Sequence, residues 1–220
     1  APGTDGLTAF LYKQHWNIIG DSLTAVVQAV FRDKKPTASQ RTSMMVFGTK
    51  PKKKNSEKPS DKRKISLLNV DFKIMSGVEA ARLRSTMTRT VSPHQLVAGT
   101  DRRIHHGIAL ARDAIQAAGK SREGCGILDT DLISAFCKMV LMWALKVMEA
   151  KGLCQEACSR LLNLYTDNYS IVVVNNVLGK CVKNTRMTIR QGDKISMEIL
   201  TLGIDPVLIY LESRLKGILI

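Results

Sequence analysis

Apolar positions along the chain recur at two spacings, and the switches between them mark the elements. After a turn-forming start, APGTDG, the positions Leu7, Phe10, Leu11, Ile18 and Ile19 recur at helical spacing. A second helix is expected from Asp21, a candidate N-cap, to residue 31. The stretch RDKKPTASQ is a loop, and the short apolar run SMMVF at 43–47 reads as a strand. KISLLNV at 64–70 reads as its partner, so the two predict a hairpin around the long loop PKKKNSEKPSDK. Ile74, Val78, Ala81 and Leu83 mark the buried side of a helix over 72–87. DRRIHHGIALARDAIQAA at 101–118 predicts another amphipathic helix, capped by Asp101 and ended by Gly119. GCGILDT at 124–130 reads as a short strand, followed by helices over 134–150 and 153–165. YSIVVVNNVLGKCVKNT joins two runs through an Asn-Asn turn and predicts a second hairpin. RQGDKIS is a polar turn, and a last helix is expected over 196–215, with Asp205-Pro206 as a candidate kink.

Composition narrows the function classes. The chain has 220 residues, 45% of them hydrophobic, which suits a folded core and excludes a disordered segment. Lys and Arg number 33 against 19 Asp and Glu, a net charge of +14, and an excess of that size points to a polyanionic partner. The first hairpin concentrates it: between Lys50 and Lys64 lie eight basic and two acidic residues. The five cysteines (Cys125, Cys137, Cys154, Cys158 and Cys181) are odd in number and form no CxxC pair. They suggest neither a disulfide framework nor a zinc site, and no disulfide-linked partner. Reduced thiols fit an intracellular setting, cytoplasmic or nuclear. His105 and His106 are adjacent, so on a helix they cannot share a metal as an i, i+4 pair does. No apolar run approaches the roughly 18 residues of a membrane span, so no membrane partner is expected. The chain opens without Met and closes on GILI, and it is expected to be part of a longer polypeptide.

The candidate chemistry centres on ILDTDLISAFC at 127–137. On a strand, Asp129 and Asp131 would point the same way. A carboxylate where a strand meets a loop can hold Mg²⁺, which prefers hard oxygen ligands and serves two-metal phosphoryl transfer. The same residue type is favoured near a helix N-terminus by capping and dipole. Spacing by itself leaves both readings open.

Five segments in order resemble the reverse transcriptases of LINE-type, non-LTR retrotransposons, across essentially the whole chain. APGTDGLTAFLYKQHW is similar to S-P-G-x-D-G-L-x-x-x-F-Y-x-x-x-W, and KRKISLLNVDFKIMSGVEAARLR to R-P-I-S-L-L-N-x-D-x-K-I-x-x-x-x-x-A-x-R-L. HQLVAGTDRRIHHGIALARDAI resembles, more loosely, Q-x-G-F-x-x-G-R-x-I-x-D-x-I. ILDTDLISAFC resembles D-x-x-K-A-F-D, and IRQGDKIS resembles G-x-R-Q-G-x-P-L-S. The resemblance implies an α+β fold: the fingers of a right-hand polymerase, with helices and a basic hairpin, over 1–122. A partial palm sheet backed by helices would fill 123–220, with no thumb. It implies an RNA-directed DNA polymerase that takes an RNA template, a DNA primer and dNTPs, with Mg²⁺ as cofactor and Mn²⁺ as a substitute. In that pattern the metal-binding Asp precedes the aromatic by five positions, which selects Asp131 over Asp129 as the catalytic ligand. Phe136 matches the aromatic beneath the incoming sugar, and Arg63 the arginine that grips the triphosphate, with Lys52 or Lys53 assisting on nucleic acid. Gln191 and Gly192 match the turn beside the nascent base pair.

The departures from the pattern are specific. Cys137 stands where a second Asp is expected, Lys64 replaces the Pro of R-P-I, and Lys194-Ile195 replace P-L. No Y/F-A-D-D motif occurs in the 220 residues, so this chain by itself is expected to be inactive. A catalytically dead, reverse-transcriptase-derived RNA-binding scaffold is the alternative reading.

Overall fold

The computed structural model describes residues 1–32, 34–50, 56, 58, 61–97, 102–120 and 129–215. The elements run α1 (Ala9–Gln14), α2 (Trp16–Phe31), α3 (Ala38–Arg41), β1 (Thr42–Thr49), β2 (Lys62–Leu67), α4 (Val70–Thr90), α5 (Ile104–Ala118), α6 (Ala135–Lys138), α7 (Leu141–Ala150), α8 (Gln155–Tyr165), β3 (Tyr169–Val174), β4 (Val177–Lys183) and α9 (Ser196–Arg214). Helices with one mixed sheet make this an α+β fold, as the sequence predicts.

Both expected hairpins form. β1 and β2 pair antiparallel, from Met44 opposite Leu67 to Thr49 opposite Lys62. β3 and β4 turn through Asn175 and Asn176, whose φ values of 50° and 64° supply the left-handed pair that a tight hairpin turn needs. The hairpins are joined by a parallel pairing of β1 with β3, Thr42 opposite Tyr169, which gives the order β2-β1-β3-β4. Parallel neighbours need a long crossover, and the helices between β2 and β3 provide it. The sheet therefore takes two strands from each side of residue 122.

The core lies along α4. Its Phe72, Met75, Leu83 and Met87 pack with Leu141 and Met148 of α7, Leu161, Leu164 and Tyr165 of α8, and Ile199 and Leu202 of α9. The buried face is rotated from the expected one. Ile74 and Val78 are half-buried and Ala81 is exposed, while Ser76 and Glu79 are buried. Glu79 can be buried because Arg82 approaches it at 2.7 Å and Arg160 of α8 at 2.9 Å. Glu198 of α9 is buried against Arg84 in the same way. Charge pairing, which an apolar pattern does not register, turns the helix.

Several expected boundaries shift for local reasons. α2 begins at Trp16, because Thr8 caps α1 and His15 separates the two helices, so Asp21 is an exposed interior residue and not a cap. The helix expected over 134–150 is interrupted at Met139 and Val140, where the backbone is engaged elsewhere: Leu141 N–H donates to Met187 O at 3.0 Å, and Ile189 N–H to Met139 O at 3.2 Å. α8 starts at Gln155, after Gly152 at φ 86°. α9 runs on through Pro206. α5 starts behind Arg103, and the proposed cap Asp101 lies outside the described residues. So does most of the strand expected at 124–130, and 129–132 is exposed and irregular. Among the described residues no helix is long and apolar enough to cross a membrane.

The N-terminal turn is held by Asn69, fully buried just ahead of α4. Its amide donates to Ser39 O at 3.1 Å and Ser39 Oγ at 2.9 Å, and its oxygen accepts from Thr4 Oγ1 at 3.2 Å. Gly3 sits so close that a Cβ would lie 2.0 Å from that oxygen.

On the rim of the sheet, Asp167 draws together Lys183 at 2.7 Å and Lys35 at 3.0 Å. Hydrogen bonds to these lysines hold its carboxyl down to about 2, from a usual 3.8. A carboxyl depressed on folding stabilises above its unfolded pKa, and that stabilisation is lost as pH falls through the folded value. Asp167→Asn is therefore expected to lower Tm at neutral pH, with the gap to the unmodified chain closing between about pH 4 and about pH 2. Thermal melts across that range measure it.

Candidate functional site

The turn at 190–193 is the most constrained part of the expected site. Arg190 is 5% exposed, and its guanidinium lies over the rings of Phe72 and Tyr165, 4.5 and 5.3 Å from their centroids. Its Nη2 faces Asp193 Oδ2 at 3.4 Å. The Tyr165 hydroxyl donates to the same oxygen at 3.0 Å, and Ser196 Oγ donates to Arg190 O at 2.7 Å. Burial first, then the Asp193 charge, push the Tyr165 hydroxyl well above its usual pKa, so it stays protonated and serves as a donor.

From this base the turn reaches β2, the outermost strand of the sheet among the described residues. Ser66 N–H of β2 donates to Gln191 O at 2.7 Å. Gly192 has φ 113°, and a Cβ there would lie 2.5 Å from Ser66 O. Glycine is required on both counts. The structure thus brings Gln191 and Gly192 onto the strand that carries Arg63. Arg63 is exposed, opposite Gly48 and three residues from Ser66, roughly 10 Å along β2.

The segment after the acidic block reaches the same turn. Residues 139–141 pair with 187–189, which lead directly into Arg190. Met139 also touches α9 where Gly203 leaves room, since a Cβ there would lie 2.6 Å from its sulfur. Phe136, on α6, is half-buried and packs against the core. Asp131 and Asp129 are exposed upstream of it on irregular backbone, so the same-face strand geometry expected for them is not seen. Lys52 and Lys53 lie outside the described residues. Among the described residues no three His, Cys, Asp or Glu side chains come together as a metal site. Asp131 offers a single carboxylate, and Mg²⁺ in phosphate-handling sites takes one or two carboxylates together with substrate phosphates and water. The described residues do not compose a divalent-metal site by themselves.

The order of these parts agrees with a comparison against known families: residues 50–219 match the reverse transcriptase (RNA-dependent DNA polymerase) family. The chain belongs to the reverse transcriptase family. Members of that family are RNA-directed DNA polymerases, which in general act on template, primer and dNTPs with divalent metal ions. The chain is also 26% identical, over all of its 220 residues, to the Transposon TX1 uncharacterized 149 kDa protein of Xenopus laevis. It spans 17% of that relative's length.

In this reverse transcriptase chain, sequence reasoning singled out Gln191 and Gly192 but missed the residues that hold them, Arg190, Asp193, Tyr165 and Ser196. An i, i+3 pair of opposite charges bracketing a glycine turn is the signal that could have found the first two.

Gly192→Ala is expected to lose about 1–3 kcal/mol from backbone strain, with a further loss from the contact to Ser66. Gly152→Ala, at φ 86° with nothing within 4 Å, carries the strain term only. Urea unfolding of both variants should show the larger loss for Gly192→Ala.

Proposed function

We propose that this chain forms the nucleotide-facing part of an RNA-directed DNA polymerase from a LINE-type, non-LTR retrotransposon, acting inside the cell on an RNA template and a DNA primer. The observation that supports it most is the docking of the Gln191–Gly192 turn onto Ser66 of β2, which unites two separately expected contacts. Arg63 would grip triphosphate oxygens through its planar fork and offset their charge. Gln191 and Gly192 would meet the nascent base pair, with Gly192 seated against Ser66 O where a side chain has no room. Phe136, held by the core, would present its ring to the sugar and disfavour a 2′-hydroxyl. The lysine-rich hairpin, Lys52 and Lys53 included, would follow the phosphate backbone. Asp131 would be one oxygen donor to Mg²⁺, or to Mn²⁺ in its place, with the other donors not among the described residues. When bound, the metal supplies neutralisation of phosphate charge.

One observation favours a second reading. Cys137 replaces the aspartate expected after Phe136, and a scaffold that binds RNA without catalysis would tolerate that change.

Primer extension separates these readings. The 220-residue chain with primed RNA, dNTPs and Mg²⁺ or Mn²⁺ is expected to give none. The intact polymerase that contains it is expected to extend the primer, and Asp131→Asn to slow it by about 10³-fold, the equivalent of several kcal/mol of lost charge stabilisation. An intact protein that binds RNA without extension supports the scaffold. Extension by the chain alone, abolished by Asp131→Asn, contradicts the assignment of a partial site.

A further inference from the structure

We propose that Tyr165 and Asp193 are positioning residues: together they clamp the Gln191–Gly192 backbone against Ser66 and hold the turn in its working register on β2. The effect on nucleotide binding rests on the reading of the turn given above; the clamp itself does not. Tyr165 is the last residue of α8 and is fully buried. Its hydroxyl donates to Asp193 Oδ2 at 3.0 Å and lies 3.1 Å from Ser196 Oγ. Its ring is one of the two on which the Arg190 guanidinium rests. A single side chain thus holds both ends of the turn: Arg190 through its ring, Asp193 through its hydroxyl.

The carboxylate is the other half of the clamp. Asp193 Oδ2 receives both the Tyr165 hydroxyl and Arg190, and Asp193 N–H donates to Arg190 O at 3.1 Å. Above it, the turn meets β2 through the hydrogen bond from Ser66 N–H to Gln191 O, with Gly192 packed close to Ser66 O. One hydrogen bond on an edge strand gives a turn little hold of its own, and the buried network below supplies the rest.

Tyr165→Phe tests this, because it keeps the ring under Arg190 and deletes only the hydroxyl. Amide hydrogen exchange in the 220-residue chain reads the clamp at one atom, Ser66 N–H. The expected result is a roughly tenfold or greater acceleration at Ser66, with the amides of the β1–β2 ladder unchanged. Unchanged exchange at Ser66, or uniform acceleration at every amide, overturns the proposal. Should Tyr165→Phe fail to fold, Ser196→Ala and Asp193→Asn probe the same network. Asp193→Asn keeps an acceptor for the hydroxyl and is expected to preserve more of the Ser66 protection than Asp193→Ala. In the intact polymerase, Tyr165→Phe is expected to raise KM for dNTP several-fold with a smaller change in kcat. Accelerated Ser66 exchange with KM unchanged supports the clamp and overturns the reading of the turn as a nucleotide contact, so the two failures are distinguishable.

Discussion

Arg190 lies buried with its charge over Phe72 and Tyr165 and its Nη2 toward Asp193. A guanidinium taken out of water is costly unless it is paired, and losing one partner of a buried pair typically costs about 3–5 kcal/mol. Stacking on two rings recovers about 2 kcal/mol or more when the cation is desolvated. The rings come from α4 and α8, and the carboxylate from the turn itself. The charge therefore has a compensated environment only when α4, α8 and the turn meet in one arrangement. That condition places Gln191 and Gly192 on the edge of β2, and the 187–189 segment ahead of them beside 139–141.

Charge is buried elsewhere on the same terms. Glu79 joins α4 to α8 through Arg160, and Glu198 joins α9 to α4 through Arg84. Asp205 of α9, fully buried, meets Lys151 at 2.5 Å and accepts from Ser92 N–H at 2.9 Å. Each ion pair crosses between elements distant in sequence. The strongly basic surface overlies a core whose helices are registered by acidic residues, which accounts for buried acids in a chain of net charge +14.

What could be read from the sequence follows this division. Both hairpins and the α4, α8 and α9 helices were legible because apolar periodicity and the Asn-Asn turn are local signals. The break at Met139–Val140 was not, because it arises from backbone pairing with residues 187–189, far along the chain. The rotated face of α4 was missed because Glu79 is buried by partners that no local pattern reveals. The parallel join of β1 to β3 likewise depends on contacts between separate hairpins. Of the candidate site, Gln191, Gly192 and Arg63 were legible as a motif order. Their union through Ser66 was not, because it is a backbone contact and carries no side-chain signature.

Under the proposed function, the Gln191–Gly192 turn and β2 make one surface that receives an incoming nucleotide. The most direct measurement is photocrosslinking of an azido-dNTP to the intact polymerase with primed RNA, followed by peptide mapping. Label is expected in 62–67 and 188–196, lost on competition with unmodified dNTP. Competable label confined to segments remote from both, such as α2 or α5, would contradict it.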